Sequence, residues 1–506
     1  MELQSTFHQP PAADLAEKLR RGAPADFRFC VKAWQLITHG ASSPTYRKLK
    51  TPLPKRSRRA VGGFQPTEEV WRASDATEIS TALVVPWHRS NIKGVNFPLE
   101  KRPGRQTRSP NVMPALTRRG FVITAAAAAR VSGANDRVRL AAIGCGGRGQ
   151  HLMRMAKLAG GAEFVAVCDA WDVRRREGAA YLEKELPGPK VEQYSDYRKL
   201  LERKDVDAVI VASTDHWHSR MTVDALHAGK DVFCEKPMTS LPEQGLDVVR
   251  AVRATGKLVQ VGVQQRSIDH FIEAKQRFFE GGMIGPVHLV RTYWNANSGY
   301  LTPVPPGMET KPEGLDWQAV LGWLPQRPWN PKMYFNRFAY WEFSTGGQTG
   351  GLFVHMVDVV HWYLGLTKPL SSVALGGIYQ YNDGRDTPDN INFILNYPQK
   401  LNVTFEATIT DMIPRESADI VFFGEKGRLN IFRGGYRFLP AGGGEPIVAK
   451  GGAEPAHMGN FLDCVRSRKQ PNANAVDGHY GAMACHIGNI AYQTGQPVKW
   501  RSEWDV

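Results

Sequence analysis

Four groups of residues have types and spacings that can do chemistry. The first is Gly144-Cys145-Gly146-Gly147-Arg148-Gly149, a G-x-G-x-x-G run with Asp169 twenty residues beyond its last glycine. Glycine at 144 permits a tight turn, at 146 lets backbone approach a pyrophosphate, and at 149 lets helix and strand pack closely. An acid at that distance accepts hydrogen bonds from ribose hydroxyls. The second group is Ser213-Thr214-Asp215-His216-Trp217-His218, and the third is Glu235-Lys236-Pro237, with Gln264 further on. The fourth is His355, Asp358 and His361, at i, i+3 and i+6, which on a helix share one arc of about 120°. A lysine begins near pKa 10.4 and a histidine near 6.5, so His355 can take a proton near neutrality with little help. Lys236 then orients and polarises the reacting oxygen. Lys236, His355 and Asp358 are the catalytic candidates. An H-x-x-D-x-x-H metal site is not expected, because one helix rarely supplies three convergent ligands.

These residues need elements to hold them. Arg137–Ile143 reads as a strand before the glycine run and Gln150–Ala159 as a helix after it. Strand-like runs recur at Phe164–Cys168, Asp207–Ala212, Asp231–Cys234 and Leu258–Gly262, alternating with helical stretches. That alternation predicts a doubly wound parallel sheet. Ligands in such sheets bind beyond the carboxyl ends of the strands, where the first three groups and Gln264 fall. The cofactor-binding candidates are therefore Gly144, Gly146, Gly147, Arg148, Gly149, Asp169, Ser213, Asp215, His216, His218, Glu235, Lys236 and Gln264. Asp169 favours NAD, while Arg174-Arg175-Arg176 leave NADP open.

Beyond Arg266 the pattern changes. Leu401, Val403, Phe405, Ala407 and Ile409 alternate with polar residues, as in a half-buried antiparallel strand. Ile391–Tyr397 with Lys400–Thr410, and Ile420–Phe423 with Arg428–Phe432, read as hairpins. Leu352–Leu364 is a helix, apolar nearly all round and hence buried. The fold class is α/β: an N-terminal Rossmann domain over residues 135–266, then an α+β domain over 267–506 with a large, open, mostly antiparallel sheet. Asp316, Trp317, Trp323, Trp329, Tyr340 and Trp341 form an aromatic-rich stretch that could line a sugar site or simply pack.

From about Val138 to Trp504 the sequence resembles the Gfo/Idh/MocA oxidoreductases. The resemblance rests on GCGGRG, STDHWH…HAGKDVFCEKP, GGLFVHMVDVVHW and HMGNFLDCVRSRKQP…GH. It implies that Lys236 reaches the substrate hydroxyl and the nicotinamide, that the Lys236–Pro237 bond is often cis, and that His355 is the acid/base. It also implies a carbohydrate substrate and a second-domain sheet often used for homo-oligomerisation. One position departs: the family's dehydrogenases commonly carry Asp four residues before the histidine, where this chain has Gly351. Some relatives of the fold are redox-neutral glycosidases that oxidise a sugar transiently with a tightly held NAD, and Gly351 also keeps open a catalytically impaired sugar-binding relative.

Composition narrows the classes. Of 506 residues 64 are Lys or Arg and 49 Asp or Glu, a net +15. Residues 1–117 alone hold 19 basic and 9 acidic side chains, so the excess lies in a proline-broken N-terminal stretch. With no basic helical stripe or stacking aromatics beside it, nucleic acid is not an expected partner. No apolar run reaches the roughly 20 residues of a membrane span. Six scattered cysteines without a C-x-x-C pair argue against structural zinc and a disulfide framework. Residues 1–112 read as a basic, disordered extension or a misplaced start. Residues 113–134, with Arg118-Arg119-Gly120-Phe121 and then an alanine run, resemble a twin-arginine export signal. That implies a periplasmic or exported enzyme if translation starts at Met113, and a cytoplasmic one otherwise.

Overall fold

Short apolar strands that must be buried on both faces set the architecture of the first domain. The computed structural model describes residues 137–186, 188–295, 303–410, 418–452 and 455–506. Strands β1 (Val138–Ile143), β2 (Ala162–Cys168), β3 (Glu192–Tyr194), β4 (Ala208–Val211), β5 (Asp231–Cys234) and β6 (Val259–Val261) form one parallel sheet in the order β3-β2-β1-β4-β5-β6. Alternate residues serve opposite faces. Ala141, Ile143, Val209 and Val211 enter one hydrophobic cluster, and Leu140, Ala142, Ala208 and Ile210 the other. This is why these runs are continuously apolar rather than alternating. Helices α1 (Gly147–Ala159), α2 (Asp172–Glu185), α3 (Tyr197–Leu201), α4 (Asp215–His227) and α5 (Gln244–Thr255) connect the strands.

The second sheet has nine strands. β7 (Val287–Asn295) is followed by α6 (Trp317–Leu321), α7 (Pro331–Phe335), a π-turn at Thr349–Phe353 and α8 (Val354–Leu364). Then come β8 (Ser371–Gly377), β9 (Asn390–Tyr397), β10 (Leu401–Thr408), β11 (Asp419–Gly424), β12 (Gly427–Phe432), β13 (Gly435–Pro440) and β14 (Ile447–Lys450). Helices α9 (Pro455–Ser467) and α10 (Ala475–Thr494) and a short β15 (Val498–Lys499) close the chain. The order is β14-β13-β12-β11-β7-β10-β9-β8-β15, antiparallel except for β7 with β10. Both expected hairpins form, with Leu401 opposite Tyr397 and Gly424 opposite Gly427. Ile391, Phe393, Leu395, Val403 and Phe405 point to the covered face, where they share a core with Val357 of α8 and Ile487 of α10.

Two features differ from the sequence reading. The chain does not stay in its second domain after residue 267: Met458, Phe461 and Leu462 of α9 pack in the first domain's core, and Val261 N donates to Ala473 O. The helix expected from Leu352 is π-wound until Phe353 and turns α only at Val354. Among the described residues no helix is long and apolar enough to cross a membrane. The proposed signal at 113–134 and the basic segment before it lie outside the described residues.

Candidate active site

The glycine loop has the geometry its spacing requires. Gly144 has φ +95°, and a Cβ there would lie 2.5 Å from Ala212 O; one on Gly149 would lie 1.9 Å from Gly144 O. Either substitution forces backbone apart. Gly146 and Gly147 face open space instead, and Gly146 caps α1 with no side chain taking the cap role. The free N–H groups of that helix start therefore point to an anion site. Asp169 closes the loop's other side: Oδ2 accepts from Cys145 N (2.7 Å) and Oδ1 from Trp171 N (3.0 Å). Burial pushes its carboxyl up, against these two bonds and the nearby Arg174 and Arg175.

These groups line a cleft of about 840 Å³ together with Arg148 and Ser213. The opposite wall comes from the second domain, including Val320, Trp323, Tyr334 and Arg337. The motifs had not pointed to Tyr334 and Arg337, and the only signal was the aromatic-rich composition around them. Those aromatics split. Trp317, Tyr340 and Phe343 form a small core of their own, with Trp329 packed against it, and Trp323 reaches the cleft. A sugar-lining role for Trp317, Trp329 and Tyr340 is thus replaced by packing.

Several candidates sit behind the cleft rather than on it. Glu235 holds Arg148 in a fork, Oε1 accepting Nε and Nη2 at 2.8 Å each, so the acid steadies the loop arginine. His218 spans two main-chain oxygens, Nδ1 to Pro237 O at 2.7 Å and Nε2 to Ser213 O at 3.1 Å, tying the Glu235-Lys236-Pro237 turn to the Ser213 loop. His216 Nε2 meets Val320 O at 3.0 Å, and burial lowers its pKa to about 4, so the ring is neutral and donates. Asp215 Oδ2 and Gln264 Oε1 are buried with no hydrogen-bond partner. Orphaned polar atoms at the strand ends fit a polar ligand that supplies the missing bonds.

Lys236 and His355 lie close enough to interact, and Arg148 of the cleft acts on both. The Lys236–Pro237 peptide is cis. Lys236 Nζ donates to Gly351 O in the π-turn at 2.9 Å. Burial lowers its pKa, aided by Arg148 and Arg337 and opposed by Glu235 and Asp215. His355 is 4% exposed, and its Nδ1 has no partner. Burial first, then the charges of Lys236, Arg433 and Arg148, hold it well below the ordinary histidine value. Both groups lose basicity, so His355 is a neutral acceptor at physiological pH and a weaker base than its unperturbed value suggests.

Asp358 turns away from this chemistry. Both its oxygens accept Arg266 Nε, at 3.0 and 2.9 Å, and Arg266 also pairs with Asp477 at 3.2 Å. Burial raises the Asp358 pKa to about 6 in spite of the arginine. A carboxylate 1% exposed and doubly engaged is Arg266's partner rather than the substrate's. His361 donates to or accepts from Tyr397 Oη at 2.6 Å and is a satisfied core residue. Among the described residues no cluster of potential metal ligands occurs.

The glycine loop, the parallel sheet and Asp169 define a dinucleotide-binding domain joined to an open mixed sheet. Residues 138–263 match the family model for the Gfo/Idh/MocA oxidoreductases' NAD-binding Rossmann fold, and 291–505 the model for the family's C-terminal alpha/beta domain. The chain belongs to the Gfo/Idh/MocA oxidoreductase family, and its first domain is NAD-binding. Residues 1–69 separately match a protein family of unknown function, DUF72.

Inositol 2-dehydrogenase 2 of Saccharopolyspora erythraea is 34% identical over 189 residues, 37% of this chain and 53% of that protein. Inositol 2-dehydrogenase of Burkholderia multivorans is 35% identical over 165 residues, 32% and 47% respectively. The chain thus spans about half the length of these relatives. Among solved structures, levoglucosan dehydrogenase in complex with NADH and levoglucosan aligns at TM-score 0.57 and 15% identity, covering 72% of this chain and 99% of that one. Aldose-aldose oxidoreductase from Caulobacter crescentus aligns at TM-score 0.57 and 18% identity, covering 72% and 100%. These two likenesses establish the shared fold.

Proposed function

We propose that the protein transfers a hydride between a secondary hydroxyl of a sugar or polyol and a tightly held NAD. The observation that carries this is Lys236 held at the turn that leads into His355, Nζ donating to Gly351 O at 2.9 Å, with Arg148 of the glycine-loop cleft acting on both groups. Bound NAD supplies a hydride acceptor at nicotinamide C4. His355, neutral and with a free ring nitrogen, takes the hydroxyl proton. Lys236, held by Gly351 O, donates to the same oxygen and stabilises negative charge as it develops. Asp169 is the acid for the ribose hydroxyls, which favours NAD over NADP. The relatives named inositol 2-dehydrogenase support a polyol or sugar substrate.

The test is direct. Purified protein is challenged with sugars and polyols while cofactor absorbance is followed, with Lys236→Ala as control. Reduction that depends on Lys236 supports the reading, and its absence across neutral and acidic sugars sinks it. A cleft walled from both domains favours a second reading as well, a redox-neutral glycosidase with retained NAD, which aryl glycosides would reveal by release of the aryl group without net reduction. The uncovered sheet face carries Leu289, Val373, Leu375 and Ile394, all at least 37% exposed, which supports a homo-oligomer testable by light scattering. Export through Arg118-Arg119 fits a retained cofactor, since it would have to be loaded before the folded enzyme left the cytoplasm.

A further inference from the structure

Residues 314–323 belong to the second half of the chain, yet their hydrogen bonds go to the first domain. At one end Asp172 N donates to Gly314 O and Asp316 N donates to Ala170 O, both at 3.0 Å, and Trp171 and Leu315 form an antiparallel bridge. This adds a short strip of sheet to the chain leaving β2. At the other end Val320 O lies 3.0 Å from both Trp217 Nε1 and His216 Nε2, and Trp323 Nε1 donates to His216 O at 3.0 Å. That end is pinned to the first turn of α4. The glycine loop follows β1, which lies between β2 and β4 in the sheet. A segment fixed to both sides must cross the cleft, and Gln318, Val320 and Trp323 do line it opposite Gly146 and Gly147.

A glycine in the left-handed region stands at each end of the segment. Gly314 has φ +73°, and a Cβ there would lie 2.2 Å from Asp172 Oδ1. Gly322 has φ +61°, and a Cβ there would lie 2.1 Å from the Trp217 ring. Their lack of a side chain lets the segment lie flat against the first domain.

We propose that residues 314–323 form a strap over the adenosine half of the bound dinucleotide, and that the cofactor leaves only when the strap lifts. The adenosine half is the one concerned because the strap starts beside the Asp169 loop, the acid read for the adenosine ribose, and runs to α4. The proposal rests on the cleft being the dinucleotide site and deepens the reading of a retained cofactor. The strap binds by five main-chain or indole bonds, so its opening rather than diffusion sets the release rate.

The experiment measures release without turnover. Holoenzyme loaded with NADH is mixed with excess NAD, and the loss of bound-NADH fluorescence is timed for wild type, Trp323→Phe and Gly322→Ala. Trp323→Phe keeps an aromatic ring, though a smaller one, and removes one neutral hydrogen bond, which should speed release about 3- to 10-fold. Gly322→Ala should speed it more, about tenfold or beyond, because the pin at Trp217 must retreat. Thermal unfolding accompanies both, and the milder Trp323→Phe carries the test if Gly322→Ala does not fold. Release from wild type within milliseconds, or rates unchanged in both variants, overturns the strap. Slow, strap-dependent release from a protein that oxidises no sugar would keep the strap and defeat the dehydrogenase reading. Fast release with ordinary sugar oxidation would do the reverse.

Discussion

Gly351→Asp would place a carboxylate where Lys236 now has only a main-chain oxygen. Lys236 Nζ lies 2.9 Å from Gly351 O, so a carboxylate on the same residue would come within about 4–6 Å of it. Gly351 lies outside the left-handed region, and a Cβ there meets only the Phe338 ring, at 3.3 Å, which must yield by a few tenths of an ångström. At about 5 Å and an effective dielectric near 20, two unit charges interact by about 3 kcal/mol, or roughly two pK units. The sign follows from the roles. With neutral His355 as base and Lys236 as ammonium, sugar oxidation rises as His355 sheds its proton, below its ordinary 6.5. It falls as Lys236 sheds its own, below 10.5. The new carboxylate favours the ammonium and moves that alkaline limb up by about 1–3 units. Were Lys236 itself the base, its deprotonation would switch activity on, and the same variant would lose rate at neutral pH. Single-turnover reduction of the retained cofactor, followed from about pH 5 to 10, separates the two. An alkaline limb that does not move refutes a catalytic role for the Lys236 charge.

Four further outcomes are expected. Lys236→Ala and His355→Ala each keep bound cofactor, seen in the absorbance of purified protein, while turnover drops about 10²- to 10⁴-fold. Asp169→Asn weakens NAD more than NADP in calorimetry on stripped protein, since a charged acceptor of Cys145 N and Trp171 N is lost along with the ribose contact, each such bond worth about 1.5–3 kcal/mol. Equal weakening would remove the basis for preferring NAD. Asp358→Asn lowers the denaturation midpoint by the equivalent of about 3 kcal/mol, the low end for a broken buried pair, because Asp477 still partners Arg266. Protein purified without added nucleotide carries close to one NAD(H) per chain by acid extraction, and a single sugar addition reduces it once and stops.

The sequence made the first domain legible because a doubly wound sheet leaves strong local marks. Its central strands are mostly apolar, Gly144 and Gly149 are fixed by contacts under 3 Å, and its acid follows at a set distance. The antiparallel hairpins were equally clear from strict alternation. The parallel pairing of β7 with β10 was not, since no local pattern encodes which distant strand lies alongside. Nor was the return of α9 to the first core, because an amphipathic helix records that it is buried but not against what. Asp358 shows the limit at the site itself. Its helix position put it on the face of His355, and only the fold brought Arg266, 92 residues away in the chain, to claim both oxygens. Residues of the strap left no motif of chemistry, since they act through carbonyls and indole N–H groups.

The depressed basicity of His355 is compatible with its role as base once the field around it is counted. Lys236, Arg433 and Arg148 all act on the ring, and the same charges act on a substrate oxygen placed beside it. A cationic surround that makes His355 a weaker base also makes the carbinol a stronger acid, because it stabilises the oxygen's developing negative charge. The proton-transfer equilibrium depends on the difference between the two and so changes less than either. In the reverse direction the same field makes the histidinium a stronger acid towards the alkoxide-like oxygen. What the field cannot cancel is the demand for an ammonium that stays charged and in place. In this chain that demand falls on a carbonyl, Gly351 O, which orients Lys236 without supplying an opposing charge. Beyond the partial opposition of Glu235 and Asp215, Lys236 keeps its positive field for the reacting oxygen, at the cost of a lower upper limit on working pH.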